Sequence, residues 1–373
     1  MDFGLFFINE KPPGMSDEVV ISNALEQCKL ADELGFESVW LGEHHFSPYG
    51  TMPDTLLFGA AVAQITERVK IGTAVIVPTF THPVRVAEQI AMLDVISGGR
   101  FRVALGRGYQ SREFNGYGVP QNESTDRFRE ATEIIDGLLT YENFSYEGRF
   151  WSVHDLTLAP RPVQRPRPPI YVAGSATPSS TEWLVAKNYR CLTGNPYSLD
   201  PGSSDEVGHV LVEEQKRQGK TPSLEHAWGL LHNILVGDTD EAAAAAFRTN
   251  WHLGNDYLYT YARVVEEGEE LPEDYKYYSR MHDIWATLRA TDYDDMLAMR
   301  GSLVGSPDLV AEKLVKLYED TGFSKQLMWM NRGGAVPQKD MLHSMELFAT
   351  KVMPQVRGVG EADDATKQLI TAW

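Results

Sequence analysis

The sequence predicts a (β/α)8 TIM barrel with loop insertions, and three observations carry that reading. Short β-rich runs alternate with longer helical patterns, the signature of successive βα units and a parallel sheet. Counting gives eight such strands, each followed by a helix, from "FGLFFI" at 3–8 to "KQLMWM" at 325–330. The 373 residues exceed the about 250 of a bare barrel, so the surplus belongs in loops.

The elements follow in order. Strand one at 3–8 leads to helical spacing over 17–34, which stops at Gly35, an expected C-terminal signal. "SVWLG" (38–42) is strand two, followed by a helix over 54–66. "KIGTAVIV" (70–77) and "FRVALG" (101–106) are strands three and four, with a helix over 83–97 between them. A first insertion spans 140–168, where "FSYEGRFWSV" alternates like a hairpin and "APRPVQRPRPP" returns the chain to strand five, "PIYVAG" at 169–174. Helix 178–187, strand 189–194, helix 204–218 and strand 228–236 continue the pattern. A second insertion, 252–304, is rich in Tyr, Asp and Glu and lacks a clear strand. Long excursions from a barrel serve as lids or binding loops. Trp251, Tyr257, Tyr259, Tyr261 and Trp285 are its candidate aromatic lining, with plain packing on the rim as the alternative for each. "GSPDLVAEKL" (305–314) restarts a helix with Ser306 as cap and Pro307 at its first position, and a closing helix is expected near 338–352. The reading is one domain over 1–357 and a tail over 358–373.

Composition narrows the function classes. With 43% hydrophobic and 23% charged residues the chain is that of a globular protein. The 52 acidic against 34 basic side chains give a formal charge of -18, which repels polyphosphate and anionic lipid. No Lys/Arg-rich run offsets it, so nucleic acid and membrane are not expected partners. Cys28 and Cys191 stand far apart, which argues against a disulfide framework or a cysteine metal site. The start "MDFGLFFINE" has no basic region ahead of an apolar one, and a soluble, cytoplasmic protein is expected.

Three stretches carry candidate chemistry. "WLGEHHF" (40–46) puts Glu43, His44 and His45 just past strand two, on the rim where barrel active sites lie. Adjacent side chains on extended chain point to opposite sides, so the two histidines do not chelate one metal, and no HExxH spacing or cysteine supports zinc. A locally hydrogen-bonded pair and a catalytic one both fit the residues alone. "GRGYQSREF" (106–114) flanks Arg107 with glycines, so a guanidinium and nearby backbone can approach a phosphate. An arginine paired with a surface carboxylate fits equally well. "AGSATPSSTEW" (173–183) gathers Ser175, Ser179, Ser180 and Thr181 where a helix begins. Exposed N–H groups with hydroxyls beside them suit an anion, although capping alone would need one of them.

Taken together, "SVWLGEHHFSPYG", "IGTAVIVPTFTHPVRVAEQIAMLDVISGGRFRVALGRGYQSREFNGYG", "GSATPSSTEWLVAKN" and "LVGSPDLVAEKL" resemble the bacterial luciferase-like flavin-dependent monooxygenases, from strand one to about residue 356. The resemblance implies a barrel that binds reduced FMN as cosubstrate, forms a flavin hydroperoxide with O2, and oxygenates a small organic substrate such as an aldehyde, ketone, terpene or aromatic. By position, His44 matches the family's active-site histidine, and Glu43 lies at the ring edge. Ala74 matches the backbone that supports the isoalloxazine ring. Arg107, Ser175 and Ser180 match phosphate-binding positions, Tyr109 joins the cofactor set, and Arg127 is a further phosphate candidate with altered spacing. Two positions depart from luciferase: Gly106 replaces a reactive cysteine, which counts against light emission, and Gly174 replaces an acidic residue. The resemblance also implies a separate flavin reductase and a homodimer in which His45 reaches Glu88 of a second copy. Its rivals are a deazaflavin-dependent oxidoreductase of the same barrel class and a non-catalytic flavin-binding barrel.

Overall fold

Eight parallel strands close on themselves in the computed structural model, which describes residues 1–174, 178–193, 203–266 and 268–360. They are β1 (Asp2–Phe7), β2 (Ser38–Leu41), β3 (Lys70–Thr73), β4 (Phe101–Leu105), β7 (Ile170–Gly174), β8 (Arg190–Thr193), β9 (Gly229–Val236) and β11 (Lys325–Trp329). The order is β9-β11-β1-β2-β3-β4-β7-β8. Leu192 pairs with Trp228 just before β9, and Thr193 N–H donates to Trp228 O at 3.0 Å, which joins the two ends. All eight expected strands are present, and closure removes the sheet edges.

The hairpin expected in the first insertion is β5 (Phe144–Glu147) against β6 (Ser152–Leu156), antiparallel. Two boundaries differ from the sequence reading. Strand three ends at Thr73 rather than 77, because the Ala74–Val75 peptide is cis and turns the chain before Ile76 rejoins Leu105. A ninth strand, β10 (Ser302–Gly305), pairs with the far half of β9, where no strand was expected.

The helices behave as their caps dictate. They are α1 (Asp17–Leu34), α2 (Thr55–Ile65), α3 (Pro83–Ile96), α4 (Ser111–Tyr117), α5 (Ser124–Thr140), α6 (Pro178–Ala186), α7 (Ser203–Arg217), α8 (Asp240–Tyr261), α9 (Met281–Ala290), α10 (Tyr293–Ala298), α11 (Pro307–Thr321) and α12 (Gln338–Leu347). Ser16 and Ser306 cap α1 and α11 through their side chains, and Gly35 ends α1 in the left-handed conformation at φ 83°. The second insertion is shorter than expected at both ends. Residues 252–261 continue α8, so Trp251 and Tyr257 belong to a barrel helix and are buried against it.

Trp40 fills the lower barrel. It lies fully buried between Tyr171 and Trp228, with ring centroids 5.4 and 5.3 Å away. Its neighbours Gly4 and Gly72 make the room: a Cβ would stand 2.8 Å and 2.4 Å from the indole. A filled interior leaves only the strand ends open for chemistry. Cys28 and Cys191 are buried and unpaired. Among the described residues no helix is long and apolar enough to cross a membrane.

Candidate active site

His44 sits three residues past β2, on the C-terminal rim. Its Nδ1 lies 3.0 Å from Glu113 Oε1 and 3.0 Å from Gln110 Nε2. An acceptor and a donor thus flank one ring nitrogen. A carboxylate at that distance favours the tautomer with the proton on Nδ1, which leaves Nε2 to take or give a proton. Glu113 is 1% exposed and also accepts the His45 N–H at 3.0 Å, so it fixes both the ring and the chain that carries it. Tyr49 packs on the imidazole at 4.7 Å and Tyr109 stands edge-on at 6.2 Å. Burial pushes both phenols up, so they remain donors over the whole working pH range.

Glu43 points the other way, to His45. The distance from His45 Nε2 to Glu43 Oε1 is 2.9 Å, and Tyr117 OH lies 3.1 Å from the other ring nitrogen. Burial raises the Glu43 carboxyl, while His45 and the Val77 N–H, which donates to Oε2 at 3.1 Å, pull it back down. Glu43 N–H donates to Val75 O and Ala74 N–H to Leu41 O, so the cis turn at Ala74 is stapled to the rim beside His44. Val75 fills the space beside Gly106, where a Cβ would stand 2.4 Å from Val75 Cγ2. A larger residue at 106 is excluded by this neighbour.

Arg107 leaves β4 in a different direction. Its Nη1 donates to Thr125 Oγ1 at 2.7 Å at the start of α5, and its guanidinium lies 3.9 Å from the Tyr275 ring centroid. Tyr275, from the second insertion, is fully buried; its OH donates to Gly108 O at 2.8 Å and stands 3.0 Å from Ser124 Oγ. Tyr278 stacks parallel to Tyr109 at 6.3 Å. The insertion therefore lies folded over the mouth, as a lid does. Arg129 Nη2 donates to Ser179 O at 3.4 Å, which ties the first turn of α6, with Ser180, to α5. A cation beside the hydroxyl of a helix start, as Arg107 is beside Thr125, suits a phosphate.

The family model for luciferase-like monooxygenases matches residues 1–325. The chain belongs to that family. It is 32% identical, over 95% of its length and 97% of the relative's, to the alkanal monooxygenase alpha chain of Photorhabdus laumondii. It is 28% identical, over 95% of both chains, to the oxygenase component of a flavin-dependent trigonelline monooxygenase from Acinetobacter baylyi. Its structure is similar to that of the monooxygenase RslO1 from Streptomyces bottropensis, with a TM-score of 0.80, 28% identity, and 95% and 99% of the two chains covered. An F420-dependent secondary alcohol dehydrogenase shares the fold at a TM-score of 0.71 and 18% identity. This monooxygenase is thus an oxidoreductase of the flavin-dependent kind, which removes the non-catalytic barrel from the alternatives.

Not every expected residue of the monooxygenase joins the His44 cluster. Ser175 lies outside the described residues. Arg127 turns to Glu123, with N–O distances of 2.9 and 2.7 Å, and to the ring of Phe150 on the hairpin, 4.2 Å away. His45 is 4% exposed and held by Glu43 and Tyr117 of its own chain, and Glu88 lies partly exposed beside Arg85, where a second copy could reach it. Glu113, Gln110, Tyr49 and Tyr275 had no place in the sequence reading. The one signal for Glu113 was an acidic residue in the run that carries Arg107.

Proposed function

We propose that the chain is the FMN-dependent oxygenase of a two-component system, which takes reduced FMN from a separate reductase and oxygenates a small organic substrate. The observation that carries this reading is His44, fixed through Nδ1 by buried Glu113 on the barrel rim, with Arg107 set apart from it at the start of α5, the helix whose Arg129 reaches the first turn of α6. Arg107, Ser180 and, by position, Ser175 hold the phosphate; Ala74, Glu43 and Tyr109 border the ring. Arg127 supports the phosphate site through α5, which also carries Thr125. Bound reduced FMN supplies the two electrons with which O2 is divided between substrate and water.

The chain's own groups do the rest. His44 Nε2 gives or accepts the proton, and Glu113 stabilises the imidazolium that results. Tyr275 and Tyr278 bring the lid onto Arg107 and Tyr109, which keeps bulk water from the mouth. The printed specialities of the relatives differ, so the substrate is proposed only as a small organic molecule of the aldehyde, ketone, terpene or aromatic kind. The soluble, acidic chain suits the cytoplasm.

A homodimer completes the proposal. Leu57 and Ile65 on α2 and Met92 and Val95 on α3 are 71%, 40%, 56% and 43% exposed, and the two helices pack side by side. Such a patch suits a second copy.

His44→Ala tests the catalytic reading. FMN binding should stay within about twofold, because Arg107 and the helix starts are untouched, whereas product formation should fall by about 10²- to 10⁴-fold. Wild-type product per flavin oxidised in this variant refutes the assignment. The deazaflavin alternative, kept open by the shared fold, is checked in the same assay: oxygenated product formed from substrate, reduced FMN and O2 excludes it.

A further inference from the structure

Glu10 stands three residues past β1 and is 5% exposed. Gly333 N–H donates to its Oε2 at 2.6 Å. Its Oε1 is buried without a hydrogen-bond partner, and so is Asn9 Nδ2 beside it. Both residues line a crevice of about 40 Å³ between α1 and the ends of β1 and β11, with Met15, Asn23, Gln27 and Asn331. Met15 and Asn23 are partly exposed, whereas Asn9, Glu10 and Gln27 are buried, so the crevice runs inward from solvent. That volume holds about two or three waters, and buried waters go to polar groups that the fold leaves unsatisfied.

On its other side Glu10 faces the mouth. Trp329, at the end of β11, lines the same crevice, and the Tyr49 ring lies 6.4 Å from Trp329 and 4.7 Å from His44. The Tyr109 hydroxyl accepts from Gln110 Nε2 at 3.4 Å, the atom beside His44 Nδ1, and the Tyr109 ring stands 6.2 Å from the imidazole that Tyr49 packs on. A row of polar groups thus crosses the ends of three adjacent strands.

The inference rests on the monooxygenase reading. An anionic reduced flavin, O2, a substrate and one proton become oxidised flavin, oxygenated substrate and water. One proton must therefore enter each cycle while the lid keeps water out. We propose that Glu10 is the group through which the closed mouth draws that proton from solvent, by way of the crevice beneath α1. The carboxyl gives its proton towards Tyr49 and His44 and regains one from water in the crevice, so no other reactant is consumed.

The surroundings suit a loaded carboxyl. Burial raises Glu10 to about 8, against the opposing pull of Arg332, the Gly333 N–H and Trp329. The other titratable groups that face it are Tyr49 and Tyr257, both raised by burial, and the Lys11–Asp17 ion pair follows it in the chain. Glu10 is therefore protonated below about pH 8 and empties above it.

Glu10→Gln keeps an acceptor for Gly333 but stores no proton. In flavin-free protein at pH 7, the infrared band of an un-ionised carboxyl should be present in the wild type and absent in Glu10→Gln. With reduced FMN, O2 and substrate, the variant should be at least tenfold slower. It should lack the wild-type fall in rate as pH rises through about 8, and added formate buffer should restore part of its rate, which a purely structural role would not allow. Asn23→Leu, which closes the outer crevice and leaves Glu10 in place, should slow the reaction yet keep the band. A missing wild-type band, or a Glu10→Gln enzyme with wild-type rate and pH profile, overturns the proposal. If Glu10→Gln does not fold, full speed in Asn23→Leu does so. Wild-type protein that yields no oxygenated product indicts the functional reading instead, and the infrared arm still reports on Glu10.

Discussion

Glu113 decides what His44 can do, although the sequence places the two 69 positions apart. Its carboxylate holds the Nδ1 proton of His44 and the backbone N–H of His45 at once. Glu113→Gln should keep the fold but remove the charge that favours an imidazolium. A hydrogen bond to a charged group contributes about 1.5–3 kcal/mol, so kcat should fall roughly tenfold to a hundredfold, with the KM for flavin little changed. Steady-state kinetics with varied FMN checks this, and an unchanged kcat would remove Glu113 from the site. His44 and Glu43 were legible because they follow an apolar run onto the rim. Gln110 and Tyr49 were not, since they meet His44 only through the paths the loops take after β2 and β4. Glu10 gave no local signal either, because what marks it is burial beside Arg332.

At the level of the element, most boundaries follow from capping chemistry that a sequence displays. The Ser306–Pro307 start of α11 and the Gly35 stop of α1 appear where expected. The cis turn at Ala74 and the four residues of β10 escape such reading: the first lies within an unbroken apolar run, and the second borrows its partners from β9. The lid is the element whose role is most open to test. Tyr275 anchors it by donating to Gly108 O, with Ser124 Oγ also in reach, and by lying over Arg107. Tyr275→Phe keeps the ring and loses the hydroxyl, at a cost of about 1 kcal/mol. Amide exchange in residues 268–290 should quicken roughly fivefold, with the barrel strands unaffected. Equal exchange in both proteins would mean that the lid is held elsewhere.

The whole molecule combines a closed barrel with exposed apolar side chains on two neighbouring helices, Leu57 and Ile65 on α2 and Met92 and Val95 on α3. Since a twofold interface uses the same residues twice, Leu57→Glu and Met92→Glu together alter four places in a proposed dimer. Burial of each such side chain stabilises by about 1.5–3 kcal/mol, so their loss removes roughly 6–12 kcal/mol, and the dissociation constant should rise by several powers of ten. The two positions are 71% and 56% exposed in the single chain, which predicts that each protomer stays folded when they change. Light scattering should therefore show a wild-type dimer and a double variant of half that mass, with circular dichroism alike in both. The variant should also retain most of its activity, because His45 is satisfied by Glu43 within one chain and the His44 cluster needs nothing from a second. A wild-type monomer, or a double variant that stays dimeric, would place the patch outside any interface. Loss of activity on separation would show instead that the mouth depends on its neighbour.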